Sequence, residues 1–182
     1  MKYLEHVDIY HGSLSEIKEP DILPSEKTMD FGTGFYCTSS PEQALKWTKN
    51  KMTGFSKNIG FVNHYTINRK VLDKLKVKVF ENADETWVDF VEENRNRIDH
   101  EYDIVYGPVA DDDVNRQMNR YEKGEIGKQE LIKRLKTYIL VDQYLFHSKD
   151  SLKCLTFVSS KKIIKQAKTL PQKKKRNNGP KL

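Results

Sequence analysis

The sequence YHGS at residues 10–13, taken together with DFGTGFY at residues 30–36, decides the architecture that we expect for this chain. Apolar and polar residues alternate up to His11, which predicts a strand that ends at the histidine. Two glycines in the second stretch predict a turn that leads Phe35 and Tyr36 into another short strand. Together the two stretches predict a pocket, with a histidine and open backbone on one wall and a flat ring on the other.

Length and composition indicate one soluble domain. The chain has 182 residues, of which 37% are hydrophobic and 32% are charged, so it is too short for two ordinary domains. No apolar stretch approaches the roughly 20 residues that span a bilayer, and the N-terminus lacks a signal-peptide core. We therefore expect a cytoplasmic protein that does not bind membranes. Cys37 and Cys154 lack the spacing of a disulfide framework or a zinc site.

The positive charge is concentrated at the C-terminal end. The formal net charge of the chain is +6, whereas residues 161–182 contain nine Lys and Arg residues and no acid. The preceding residues therefore carry a net charge of −3. We predict a folded domain over residues 1–160 and a basic tail over residues 161–182. The tail is either an arm that attracts nucleic acid or a partner, or a disordered end, and its like-charge composition favours the latter.

Two helices have clear N-terminal signals. A capping box formed by Ser40 and Gln43 predicts a first helix that ends near Gly54. Asp84 predicts the cap of a later helix. The inner face of that helix is predicted from three- and four-residue spacing to consist of Trp87, Val91, Asn94 and Ile98. Apolar spacing predicts shorter helices near residues 71–75, 114–121 and 131–135.

Strands are more numerous than a helical bundle would need. Beyond the two strands already described, strands are predicted at residues 60–67, 77–80, 102–106, 138–146 and 155–158. The strand at residues 102–106 is expected to stop before Gly107. Residues 14–33 are expected to form an extended loop. Because helices do not follow every strand, the pattern predicts an α+β fold with mostly antiparallel pairing. The chain has no GxGxxG motif after a strand and no P-loop motif, so those nucleotide-binding folds lose their main support.

Four residues in the first third of the chain are candidates for ligand binding. His11 can donate and accept hydrogen bonds, and Gly12 lets a ligand approach the main chain. Tyr36 offers a ring face on which a planar group such as nicotinamide stacks, and Trp47 is placed to sandwich the same group. Each also has a plainer interpretation, since a histidine at a strand end is often structural and Trp47 is equally typical of a core.

Polar residues in the second half of the chain leave further alternatives open. Gln143 interrupts an apolar strand, so it either satisfies backbone at a sheet edge or points into a ligand pocket, while Asp142 faces the opposite way. Asp111, Asp112 and Asp113 either bind a divalent metal or begin a helix. Consecutive acids cannot all converge on one ion, which favours the helix N-terminus. No histidine pair has ligand spacing, so we expect no metal.

Taken in order, these motifs resemble the ADP-ribosyltransferase superfamily, on the side of diphtheria toxin and the poly(ADP-ribose) polymerases. The strand ending in His-Gly-Ser and the glycine-rich turn into an aromatic strand match two of its signatures. Trp47, eleven residues after Tyr36, has the offset of the family's second aromatic residue. Residues 142–146 take the place of its late strand. The chain is closer still to a little-characterised bacterial group of the superfamily, whose four motifs span residues 10–147.

The resemblance implies an ADP-ribosyltransferase-like fold, in which two packed sheets with flanking helices surround a cleft for NAD. NAD would be the co-substrate, bound by His11, Gly12, Ser13, Gly34, Tyr36 and Trp47. His11, Tyr36 and Gln143 would form the catalytic triad, with Gln143 orienting the ribose. The expected activity is mono-ADP-ribosylation of a macromolecular acceptor, protein or nucleic acid, by a toxin-like or antiphage protein. An antitoxin or inhibitory protein is a further expected partner.

Gln143 departs from the family pattern, because members that transfer ADP-ribose carry a glutamate there. The glutamate charge favours the oxocarbenium-like transition state. Glutamine keeps the hydrogen bond but loses this charge, and preorganised electrostatics of this kind are worth roughly 100- to 1000-fold in rate. Three outcomes follow: glutamine supports transfer, another acid substitutes, or catalysis is lost. The third outcome would leave a catalytically silent module, that is, a domain that binds NAD, ADP-ribose or nucleic acid without catalysing a reaction.

Overall fold

The structure, a computed structural model, describes residues 8–24, 29–109, 112–138 and 140–165. Strands and helices are interspersed irregularly, as an α+β fold requires. The elements in chain order are β1 (Asp8–Ser13), β2 (Phe35–Cys37), α1 (Pro41–Gly54), β3 (Ile59–Ile67), α2 (Arg69–Leu72), β4 (Val77–Val79), α3 (Glu85–Arg95), β5 (Ile104–Pro108), α4 (Asp112–Glu122), α5 (Lys128–Leu135), β6 (Asp142–Phe146), α6 (Lys149–Leu152) and β7 (Leu155–Ile164).

The strands form two sheets. One has the order β1-β3-β7 and is antiparallel throughout. The other has the order β2-β6-β5-β4, in which β4 and β5 are parallel and the remaining pairs antiparallel. Tyr10 and Thr38 form an isolated bridge between the sheets, with N–H···O distances of 2.8 and 3.0 Å. The predicted α+β class and mostly antiparallel pairing are therefore confirmed.

Alternation along β5 and β6 creates two apolar cores on opposite faces of the four-stranded sheet. Ile104, Tyr144 and Phe146 face the three-stranded sheet. Val105 and Leu145 face the other way, into a core shared with α3, α4 and α5. Helix α1 packs on β1 and β3. Since side chains two residues apart share a face of a strand, Gln143 lies on the helix-facing side with Leu145.

Local signals correctly placed the helix caps. Ser40 Oγ accepts a hydrogen bond from Gln43 N at 3.1 Å, and α1 ends at Gly54 as predicted. Asp84 Oδ1 accepts from Trp87 N at 3.0 Å and caps α3. The capping box is incomplete, because Ser40 N–H donates to Thr38 Oγ1 at 3.1 Å rather than to the Gln43 side chain.

The predicted inner face of α3 holds for three of its four residues. The side chains of Trp87, Val91 and Asn94 are buried. The prediction for Ile98 is wrong: the helix ends at Arg95, and Ile98 is 55% exposed. Arg97 has a φ of +62°, and this left-handed backbone terminates the helical path before Ile98 is reached.

Three strand boundaries differ from the sequence expectation because pairing overrides local propensity. Strand β5 continues through Gly107 and Pro108, which pair with Gln143 and Asp142 of β6. Strand β6 begins at Asp142 rather than at residue 138, because the Tyr138 N–H still donates to Leu135 O in the last turn of α5. Strand β7 extends to Ile164 rather than ending at residue 158, because residues 161–164 pair with the first four residues of β3.

The described parts of the loop at residues 14–33 contain no helix or strand, in agreement with the prediction. Residues 166–182, which include most of the predicted tail, and Asp111 lie outside the described residues. The longest helix, α1, has 14 residues, and within the described ranges no helix combines the length and apolarity needed to cross a bilayer.

Candidate functional site

A cavity of about 860 Å³ lies where β1, β2 and β6 approach α1, α3 and α4. Five of the seven predicted site residues line it, and they come from four separate segments: His11, Gly12, Tyr36, Trp47 and Gln143. The structure thus brings together side chains that are up to 132 residues apart, from His11 to Gln143. The other two predicted residues lie elsewhere.

Ser13 and Gly34 do not line the cavity. The Ser13 side chain is buried, donates to Ser15 O and accepts from Asn63 Nδ2 at 2.9 Å, so it shapes the chain as it leaves β1. Gly34 has a φ of +156°, and a Cβ added there would lie 2.4 Å from Phe146 O. Glycine at this position allows the turn to approach β6, which is a structural requirement of the fold.

His11 is held as a neutral ring with one free acceptor. Its Nδ1 lies 2.6 Å from Tyr36 O, and because a carbonyl oxygen only accepts, the proton is on Nδ1 and Nε2 is left as an acceptor. The ring stacks on Phe35 with a centroid distance of 4.3 Å. Burial, and secondly the positive charge of Lys51, lower the pKa of His11 to about 3. His11 is therefore uncharged at neutral pH.

Tyr36 presents its ring rather than its hydroxyl to the cavity. The hydroxyl donates to Gly32 O at 2.6 Å and accepts from Phe31 N at 3.2 Å, which ties it to the turn that precedes β2. Burial raises the pKa of Tyr36 well above its usual range. The phenol is thus suited to stacking and to positioning, and poorly suited to proton transfer.

Trp47 lies on the cavity face of α1. It belongs to neither apolar core and is partly exposed, so the core interpretation of this residue does not hold in the structure. Lys51 is one turn further along the same helix face and lines the same cavity. An aromatic ring and an ammonium group therefore stand side by side on this wall.

Gln143 is buried, only 3% exposed, and it lines the cavity. Its Nε2 has no hydrogen-bond partner among the described residues. Asp142 faces the opposite way, as alternation predicted, and accepts from Thr38 Oγ1 at 3.0 Å and Ser39 N at 2.9 Å. Gln143 Nε2 is therefore a buried donor that the described protein groups leave unpaired, whereas most buried donors have a partner.

Gly12 is required by helix packing as well as lying on the cavity. A Cβ added at Gly12 would be 2.3 Å from Ala44 O and 2.9 Å from Thr48 N, both backbone atoms of α1. The carbonyl that the sequence left open for a ligand is occupied, because Lys51 Nζ donates to Gly12 O at 2.7 Å. A ligand that uses this carbonyl has to share it with the lysine.

Sequence reasoning missed an ionic cluster at the other end of the cavity. Arg95 donates from Nη2 to Asp30 Oδ1 at 2.7 Å and from Nη1 to Glu122 Oε1 at 2.9 Å. Nη2 also donates to Asn115 Oδ1 at 2.5 Å. This cluster connects the turn before β2 with α3 and α4. Asp30, the first residue of the DFGTGFY motif, is the one member of this cluster that the sequence motifs included.

Metal ligation has no candidate cluster in the described ranges. There, no three His, Cys, Asp or Glu side chains are grouped so that they could hold an ion. Both cysteines are buried free thiols. Asp112 and Asp113 begin α4, as the helix interpretation predicted, whereas Asp111 lies outside the described residues.

The fold and the site define an α+β domain with a polar, aromatic-walled cavity between two sheets and their flanking helices. The chain belongs to the family described as protein of unknown function (DUF3990), whose model matches residues 7–157. No curated protein and no solved structure matches the chain.

Proposed function

We propose that this protein is an NAD-dependent mono-ADP-ribosyltransferase with an ADP-ribosyltransferase-like fold. The observation that carries the proposal is the convergence of His11, Tyr36, Trp47 and Gln143 on one cavity in which the buried Gln143 amide lacks an acceptor. The four side chains come from separate parts of the chain. The pairing of β1, β2 and β6 brings His11, Tyr36 and Gln143 together, and α1 adds Trp47. A ligand with a planar ring and hydroxyl groups would use all four.

The chemistry of the cavity suits nicotinamide and its ribose. Tyr36 and Trp47 offer ring faces for a planar heterocycle. Ribose hydroxyls both donate and accept, so they complement the bare Nε2 of His11 and the unpaired N–H of Gln143. In the reaction the bond from ribose C1′ to nicotinamide breaks, and nicotinamide leaves with the electron pair. A nucleophile on the acceptor then bonds to C1′ and loses its proton.

A carboxylate for this reaction is available in the same cavity. Glu92 lines it, and its Oε2 accepts from Tyr121 Oη at 3.3 Å. None of the ion pairs in the described part of the chain includes Glu92, in contrast to Asp30 and Glu122, which are bound to Arg95. Glu92 therefore supports the outcome in which another acid substitutes for the family's glutamate.

A second candidate function follows from the uncharged Gln143. A cavity with glutamine in place of the strand glutamate retains hydrogen bonding and stacking, and this favours a catalytically silent module that binds NAD, ADP-ribose or nucleic acid.

For the transferase, we propose a cytoplasmic, toxin-like or antiphage role, with a protein or nucleic-acid acceptor and an antitoxin or inhibitory partner. Deleting residues 171–182 and measuring labelling of DNA, RNA and protein pools separately tests the contribution of the tail to acceptor choice.

The proposal is tested by the release of nicotinamide from NAD, with and without cell extract, alongside calorimetric measurement of NAD binding. We expect release in the wild type and loss of both release and binding in Tyr36→Ala. Phe55→Ala is the matched control, because Phe55 is an exposed aromatic residue that does not line the cavity. Mass spectrometry after incubation with labelled NAD identifies the acceptor.

The outcomes separate the two candidate functions. Binding without release contradicts the transferase and supports the silent module. If NAD affinity survives in Tyr36→Ala, the assigned pocket is wrong. If NAD produces neither heat of binding nor a shift in melting temperature, both candidate functions fail.

A further inference from the structure

Lys51 carries a charge that the described residues do not neutralise. Its Nζ donates to the neutral Gly12 O at 2.7 Å, and none of the ion pairs in the described ranges includes it. The Lys51 side chain is exposed within the cavity, so a ligand can reach the ammonium group. An ammonium group has three donors, so this lysine keeps bonding capacity after its contact with Gly12. An anionic ligand would supply the counter-ion that the described residues do not.

Arg95, the second cation among the described residues that line the cavity, differs in this respect. Arg95 is bound by two carboxylates, those of Asp30 and Glu122, at 2.7 and 2.9 Å. An anionic ligand therefore gains little at the Arg95 end and much at the Lys51 end. Gln143, in the same cavity, adds a second donor with no partner among the described residues. Two donors with spare capacity, one of them charged, call for a ligand rich in acceptor oxygens.

We propose that Lys51 is the anion-binding residue of the cavity and that it takes a phosphate or diphosphate group of an organic ligand. The ammonium keeps its contact with Gly12 O and donates to a phosphate oxygen with one of its two remaining N–H groups. Lysine binds phosphate as a compact point charge with several donors. The identity of the ligand as a dinucleotide rests on the proposed function, whereas the preference for phosphate rests on Lys51 itself.

The test measures the affinity of adenosine, ADP and ADP-ribose by calorimetry, because none of these has a nicotinamide bond to break. In the wild type, ADP and ADP-ribose are expected to bind at least about 10-fold more tightly than adenosine. Charge-assisted hydrogen bonds account for about 10- to 100-fold in affinity. Lys51→Gln should lose about this factor for ADP while adenosine is unaffected. Glutamine is an uncharged donor of nearly the same length, one atom shorter than lysine, so the variant removes the charge without introducing an apolar group.

Lys49→Gln is the matched control, because Lys49 is exposed on the same helix and does not line the cavity. The proposal is overturned if the wild type binds adenosine as tightly as ADP, or if none of the three ligands binds. It is also overturned if Lys51→Gln keeps full ADP affinity or if Lys49→Gln loses as much. Should Lys51→Gln not fold, the wild-type series alone decides.

Failure of this proposal and failure of the proposed function are distinguishable. Absence of nicotinamide release with tight, Lys51-dependent ADP binding contradicts the transferase and leaves the phosphate site. Nicotinamide release with equal affinity for adenosine and ADP leaves the transferase and contradicts the phosphate site.

Discussion

Replacing Gln143 with leucine is expected to stabilise the protein and to abolish its ligand binding. Gln143 is 3% exposed, and its Nε2 has no partner among the described residues. A buried donor without a partner costs about 1–3 kcal/mol, and an apolar side chain of similar volume removes this cost. For a chain of this size, 1 kcal/mol changes the melting temperature by about 2–4 °C. Gln143→Leu should therefore raise the melting temperature by about 2–12 °C.

The matched control is a buried amide whose partners are present. Asn63 is fully buried, donates from Nδ2 to Ser13 Oγ at 2.9 Å and accepts at Oδ1 from Ile17 N at 3.0 Å. The amide also donates to Ser15 O and accepts from Ser160 Oγ, so Asn63→Leu removes four hydrogen bonds and its melting temperature should fall by at least a similar amount. The two variants exchange an amide for the same side chain and are expected to change stability in opposite directions.

The assay is thermal unfolding with and without ADP-ribose, combined with nicotinamide release from NAD. In the wild type, ADP-ribose should raise the melting temperature by mass action, and this increment should disappear in Gln143→Leu. If Gln143→Leu folds but melts below the wild type, the amide is satisfied in the folded protein and the reasoning from the unpaired donor is refuted. If the variant keeps the ADP-ribose increment, the amide does not contact the ligand.

Three further predictions concern the same cavity. Gly12→Ala should lower the melting temperature by about 2–12 °C, because its Cβ would meet α1 backbone at 2.3 Å and overpacking costs about 1–3 kcal/mol. The control is Gly54→Ala, whose Cβ would meet nothing within 4 Å; it should melt no lower than the wild type, since alanine is favoured over glycine in a helix. The folded-state pKa of His11 is about 3, below the unfolded value of about 6.5. Between these two pH values the unfolded chain binds a proton that the folded protein does not. The free energy of unfolding should therefore fall as pH decreases from 6.5 to 3, by at most about 1.4 kcal/mol per pH unit. Urea denaturation at several pH values should show a weaker dependence in His11→Gln, and an unchanged slope would contradict the neutral histidine. Gln143→Glu should increase the rate of nicotinamide release by roughly 100-fold or more if the missing charge limits catalysis. The free energy of unfolding of this variant should decrease as pH rises above about 4.3, because the introduced carboxylate must ionise in a buried site. An unchanged release rate would mean that another residue supplies the charge.

Local signals in the sequence predicted the parts of the fold that local physics controls. Ser40 and Asp84 cap α1 and α3 because an N-cap depends on a side chain and an amide three residues away. Strand β3 was located to within a residue, since its alternating side chains face two different environments. The same alternation separated Gln143 from Asp142 and placed one of them in the cavity.

The remaining features depend on contacts that are distant in sequence. Asp30 and Arg95 are 65 residues apart, and no periodicity reveals that they meet. The reason for Gly12 was assigned to ligand access, whereas the structure shows that α1 crosses the strand at this point. Lys51 was not considered, because a lysine on a charged helix usually faces solvent, and only the packing of α1 on β1 turns it towards Gly12. Strand β5 likewise extends through Pro108 because β6 pairs with it.

The Arg95 cluster has a consequence for how the cavity receives a ligand. One guanidinium holds the turn before β2, the end of α3 and the helix α4 together through Asp30, Asn115 and Glu122. This arrangement is complete in the free protein, so this side of the cavity does not have to be assembled when a ligand enters. Preorganisation of this kind reduces the entropy that binding must overcome. We therefore expect the Arg95 side of the cavity to change little when a ligand binds.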